Sequence, residues 1–199
     1  MPRPRRRAAT GVQTRSMPQH AAGLQGAGLQ PPDPAAINLL RMVFVAEVYS
    51  VETFRRMLET YEGLSTDQRC KIEACRRLAA LAVQRLQQHL AEDLGLALRP
   101  PRRARQAAEV LAPLIHASWG ERMKEFEALA TRGVMTLRNL KSIYGDREPN
   151  LCATLLAKDM AFRDFARDEL DGHPQRSLDP VLALLPAQDR GDVEAGAGV

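Results

Sequence analysis

The sequence predicts an all-α fold, a four-helix bundle with one long crossover between its second and third helices. Three observations carry this. Apolar residues recur at three- and four-residue steps in four long segments. No stretch alternates apolar and polar residues as a half-buried strand does, and aromatics make up only 5% of the chain, so a sheet has little to pack with. A Pro-containing stretch, Leu96 to Trp119, separates the second segment from the third.

The first helix is predicted from Pro34 to Tyr61. Asp33 is its N-cap, with Pro34 at the first helical position and Glu62-Gly63 at the end. Ser65 and Thr66 offer a cap for the second helix, which runs to about Leu94 with the stripe Ile72, Cys75, Ala79, Ala82, Leu86 and then His89 or Leu90. Gly95 stops it. Small residues in mid-stripe let a neighbouring helix approach or leave room for a large side chain. In the crossover, Pro100, Pro101 and Pro113 confine any helix to about Arg102–Leu111. The third helix spans about Gly120 to Tyr144, with Met123, Phe126, Ala130, Val134 and Leu137 on one face. The fourth spans about Leu151 to Leu170, with Leu155, Asp159, Phe162 and Glu169 on its stripe. Glu169 stands near a helix end, where it is expected to reach solvent. Leu178 to Leu185 is apolar enough to dock back on the bundle.

Residues 1–33 carry no apolar periodicity and read as a disordered, Arg-rich arm. Residues 34–186 form the bundle domain and 187–199 a flexible tail. The net charge of +4 comes from the arm: Arg3, Arg5, Arg6, Arg7 and Arg15 face no acid before residue 31. The remainder holds 23 basic and 24 acidic residues. Nucleic-acid binding is therefore not expected of the body and has a surface only in the arm. No apolar run follows the arginines, so the arm does not read as a signal peptide. No membrane span is expected, and the odd set Cys70, Cys75 and Cys152 suggests reduced thiols and a cytoplasmic setting. A bundle of this kind admits a homodimer.

Glu47 is the residue on which a functional reading turns. It interrupts the stripe Ile37, Leu40, Phe44, Glu47, Val51, Phe54, Leu58, whose steps of three and four put all seven on one face. A carboxylate on a buried face is costly unless something pairs with it. It either binds a metal, shares a proton or an ion pair, or remains from a site that once did. Arg85 on the second helix is the expected basic partner.

A bundle with a long second connection and a carboxylate at the centre of its first helix resembles the ferritin-like superfamily. Ala46-Glu47-Val48-Tyr49 and Phe54-Arg55-Arg56-Met57 are similar to its first helix, and the run from Phe162 to Gly172 is similar to its last. The resemblance covers about residues 34–172. It implies a di-iron site built from Glu on two helices and Glu-x-x-His on the other two. Here Glu47 matches, but Ala82 stands level with it on the second helix, with Arg85 three residues on. Asp159 is followed at the third place by Phe162, and no Glu-x-x-His occurs. The candidate metal ligands are Glu47, Asp159, Glu127 and His116.

No nucleophile is framed by a base and no Gly-rich phosphate loop follows a strand, which sets aside acyl transfer, nucleotide hydrolysis and dinucleotide chemistry. The expectation is a non-catalytic bundle, a scaffold or small-ligand binder with a decayed metal site and no cofactor. The alternative is a metal-binding oxidoreductase or iron-binding protein holding iron or manganese at a non-standard carboxylate site.

Overall fold

A computed structural model describes residues 33–61, 63–99 and 117–191. The arm before Asp33, the short helix expected at Arg102–Leu111 and the tail beyond residue 191 lie outside the described residues. Within them the chain forms α1 (Pro34–Thr60), α2 (Thr66–Glu92), α3 (Trp119–Tyr144), α4 (Pro149–Leu170) and the single-turn α5 (Asp179–Leu182). The architecture is an all-α four-helix bundle with a long connection between α2 and α3.

Local chemistry fixes the helix starts. The Asp33 carboxylate accepts from Ala35 N, and Pro34 needs no partner for a missing N–H. Ser65 with Gln68, and Ser118 with Glu121, form reciprocal capping boxes that open α2 and α3. After α2 the backbone takes a positive φ of 64° at Gly95, and Leu96 N–H folds back onto Leu90 O.

The core lies in two halves. One gathers Phe54, Ile72, Met123 and Phe162, from the C-terminal parts of α1 and α4 and the N-terminal parts of α2 and α3. The other gathers Phe44, Leu86, Leu137 and Leu155 from the opposite ends. So α1 and α4 run one way and α2 and α3 the other, and the crossover spans the length of the bundle. The pairs α1–α2 and α3–α4 pack intimately; α1–α3 and α2–α4 touch over fewer residues, and α1 and α4 face each other across the diagonal. Val181 and Leu185, on and just after α5, are buried against the first half, as the apolar run Leu178 to Leu185 led one to expect. By length and composition alone α1 meets the minimum for a membrane span; here its stripe is packed inside the bundle.

Glu169 departs from the sequence reading. It does not reach solvent: its side chain is 5% exposed. Its oxygens accept from Lys71 Nζ at 2.8 Å, Trp119 Nε1 at 2.7 Å and Ser177 Oγ at 2.5 Å. Lys71 also bonds Pro174 O and pairs with Asp67. Burial works against the Glu169 carboxylate, but these donors outweigh it and hold its pKa below the ordinary range. The chain after α4 folds over the bundle end, which removes the solvent a helix terminus normally has. Replacing Glu169 with Ala leaves the Trp119 N–H without this acceptor and takes the buried carboxylate from Lys71, which keeps only the exposed Asp67 and the Pro174 carbonyl; it is expected to cost about 3 kcal/mol. Glu169→Gln, which keeps an acceptor, is expected to cost less. Urea denaturation of both variants checks the order.

Candidate functional site

Between the two core halves lies one polar layer. Glu47 enters it from α1, and the neighbours Lys158 and Asp159 from α4. All three are buried, at 4%, 2% and 8% exposure. Lys158 Nζ stands 2.6 Å and 2.5 Å from the two Glu47 oxygens and 2.7 Å from Asp159 Oδ1. It also lies 5.0 Å from the centre of the Phe162 ring, within cation–π range. An ammonium has three N–H donors, and three carboxylate oxygens surround this one.

The partner expected for Glu47 was Arg85; the structure supplies Lys158 instead. Arg85 turns outward and bonds Thr154 Oγ1 at 3.0 Å. Lys158 stands at stripe spacing, three residues after Leu155 and four before Phe162, but the sequence reading gave that place to its neighbour Asp159.

The charges in this layer do not balance. Burial pushes the Glu47 carboxyl above its ordinary value near 4.5; Lys158 opposes the rise and Asp159 adds to it. Burial also works against the Lys158 ammonium, but Glu47 and Asp159 outweigh it and hold its pKa above the ordinary range. Glu47 is harder to ionise than in water because it is buried, with Asp159 adding to the effect and Lys158 offsetting only part of it.

The layer depends on a residue that carries no side chain. Gly133 of α3 lies against Asp159, and a Cβ there would stand 2.0 Å from Asp159 Oδ2. Asp159 is short and held by Lys158, so it has little room to yield.

Of the four sequence candidates, Glu47 and Asp159 are brought together, through Lys158. Glu127 is apart from them and pairs with Arg167 at 2.9 Å on the α3–α4 surface. His116 lies outside the described residues.

A second cluster stands at the bundle end where α2 and α3 finish and α4 begins. His89, in the last turn of α2, and Asp93, its C-cap, are four residues apart on one face. Glu148 is the residue before Pro149 at the start of α4. One ligand atom from each lies within 4.8 Å of the other two. His89 is buried, Glu148 half-buried and Asp93 exposed. His89 Nδ1 is 2.7 Å from Asp93 Oδ2, and Nε2 is 2.9 Å from the Tyr144 hydroxyl. Acids at a helix C-terminus add to its partial negative charge. Glu92, at the end of α2, and Asp93, its C-cap, are so placed, and the end of α3 adjoins them through Tyr144.

This cluster corrects the expectation of no cofactor. An imidazole and two carboxylates converging this closely form a donor set suited to a divalent cation of the iron or manganese class. Sequence reasoning placed His89 only at the end of the second helix. The His-x-x-x-Asp spacing was the available signal; Glu148, 55 residues beyond Asp93, gave none.

No family model, curated protein or solved structure matches this chain.

Two outcomes follow from the central layer. Gly133→Ala, which in an ordinary helix gains about 1 kcal/mol, is expected to destabilise by at least that much, and pairing it with Asp159→Ala to recover part of the loss; thermal melts of the single and double variants decide. The second concerns pH. Between neutrality and about 4.5, native Glu47 binds more protons than the unfolded chain does, so this group strengthens the fold as pH falls. The stability of the wild type relative to Glu47→Gln should therefore rise from pH 7 to pH 5. A difference that shrinks or stays flat in urea titrations contradicts the raised pKa.

Proposed function

We propose that this bundle binds a divalent cation of the iron or manganese class, weakly and reversibly, through His89, Asp93 and Glu148. The observation that carries the reading is the convergence of one imidazole and two carboxylates within 4.8 Å at a bundle end. In the metal-bound form His89 offers Nδ1 to the cation, with its Nε2–H donating to the Tyr144 oxygen. That hydrogen bond fixes the tautomer and the ring plane. Three protein donors would hold such a cation, and Asp93 is exposed, which accounts for a weak site. The reading is one of binding: the cluster brings with it no framed nucleophile.

The same proposal takes the bundle as ferritin-like. What supports this is its path, with α1 and α4 parallel, α2 and α3 parallel and a long crossover between the latter two. It departs from that pattern at the centre, where the cation between the carboxylates is a lysine. Small-ligand binding keeps an observation of its own, the cavity that opens between α1 and α3 onto this centre.

Titration of the full chain with Mn²⁺, followed by isothermal calorimetry, is expected to show one equivalent bound. His89→Ala and Glu148→Gln should abolish it, and Tyr144→Phe should weaken it by about tenfold or more. Glu47→Gln should leave it unchanged. Stoichiometric metal lost on Glu47→Gln and kept in His89→Ala would move the site to the central layer and overturn the proposal.

A further inference from the structure

A cavity of about 430 Å³ opens between α1 and α3 and reaches down to the polar layer. The volume falls in the range of small-molecule sites, and so does the chemistry, an apolar wall with a few convergent polar groups. Phe54, Met57, Phe126, Leu129 and Phe162 contribute to the wall; Glu47, Lys158 and Asp159 form the floor. Phe54 and Phe126 meet edge to face with centroids 5.3 Å apart, and Phe162 completes the group at 5.7 Å and 5.4 Å. The wall therefore presents a cluster of ring faces and edges beside the floor.

The floor selects by charge. Its one ammonium has three carboxylate oxygens within 2.7 Å, so no N–H remains to receive an anionic head group. Its two carboxylates carry more lone pairs than one ammonium uses, and one negative charge is left over when both are ionised. At the mouth, Arg132 pairs with Glu125 at 3.3 Å, and the Arg122 guanidinium lies over the Tyr61 ring at 3.6 Å. These cations are engaged at the rim, away from the floor.

We propose that the cavity between α1 and α3 is a binding site for a small lipophilic amine, its ammonium on Asp159 and Glu47 and its apolar or aromatic body against Phe54, Phe126 and Phe162. The amine supplies the positive charge that the floor lacks, and its apolar body replaces water along the aromatic wall. This site is separate from the His89 cluster, and neither requires the other.

The test uses the full chain and three isosteric probes: 4-phenylbutylamine, neutral 4-phenylbutanol and anionic 4-phenylbutyrate. Methionine methyl NMR gives the location, since Met42, Met57 and Met123 line the cavity whereas Met135 and Met160 do not. The amine is expected to shift the first three methyls, leave the other two in place, and bind at least tenfold more tightly than either isostere. Asp159→Asn should weaken the amine tenfold or more while the Met135 and Met160 signals report an unchanged fold. Thr53→Phe, which fills the cavity from α1, should remove binding of all three probes. Equal or tighter binding of the butyrate overturns the proposal, as do shifts spread over all five methyls. So does a second copy of the chain in the cavity, seen as concentration-dependent shifts of Met42, Met57 and Met123 without any probe. Mn²⁺ binding that persists in Thr53→Phe separates this outcome from failure of the metal reading.

Discussion

Everything at the middle of the bundle depends on one ammonium. Lys158 joins α4 to α1 across the diagonal, between two helices that otherwise make little contact. Removing an ion from water costs several kcal/mol, and a buried pair recovers this only with good geometry, so the layer is weak evidence for stability as such. Its effect is on register. The apolar halves above and below it are chemically alike, and sliding α1 by one turn against α4 would still bury leucine against phenylalanine. It would not leave Glu47 on Lys158. The charged layer makes one alignment far better than its neighbours, as a single polar position does in a coiled-coil seam. Gly133 is part of the same constraint, because α3 can close over Asp159 only where it has no side chain.

The fold was legible because helix periodicity and end chemistry are local. Asp33, Ser65 and Gly95 mark boundaries through bonds made within a few residues of themselves, and the stripes of α1 and α3 each show which face is buried. Glu47 was legible as an anomaly for the same reason. Its partner was not, since choosing Lys158 over Arg85 requires the distance between α1 and α4, which no local pattern contains. Glu169 was misjudged on similar grounds: its position near a helix end suggested solvent, and only the chain returning after α4, with Ser177 and Pro174, takes the solvent away. Glu148 joins His89 only after α3 and α4 are packed. Side chains that interact along one helix can be read from spacing; those that interact between helices need the packing.

The two polar sites answer the same electrostatic problem in different ways. At the centre, a cation the chain supplies itself offsets part of the charge of two buried carboxylates. At the bundle end, Asp93 is open to solvent and the helix termini add partial negative charge of their own. His89 contributes an imidazole nitrogen there beside the Asp93 and Glu148 carboxylates. A mobile ion is better suited to that geometry than a tethered one, which is why the divalent metal is assigned to the end and not to the middle.

The choice of lysine at the centre also bears on what the adjoining cavity recognises. A floor that stabilises an internal ammonium is already arranged for ammonium geometry, with oxygens at 2.5–2.7 Å and an aromatic face at 5.0 Å. Such preorganisation does not distinguish a tethered amine from a free one. Lys158 uses three oxygens and one ring; Asp159 retains lone pairs, and Phe54 and Phe126 present further rings above it. A second ammonium meets the same partners from the cavity side, with the repulsion of Lys158 reduced by the carboxylate held between them. Discrimination against anions needs no special device, because the cation on the floor already has its donors engaged, and Arg122 and Arg132 are held at the rim.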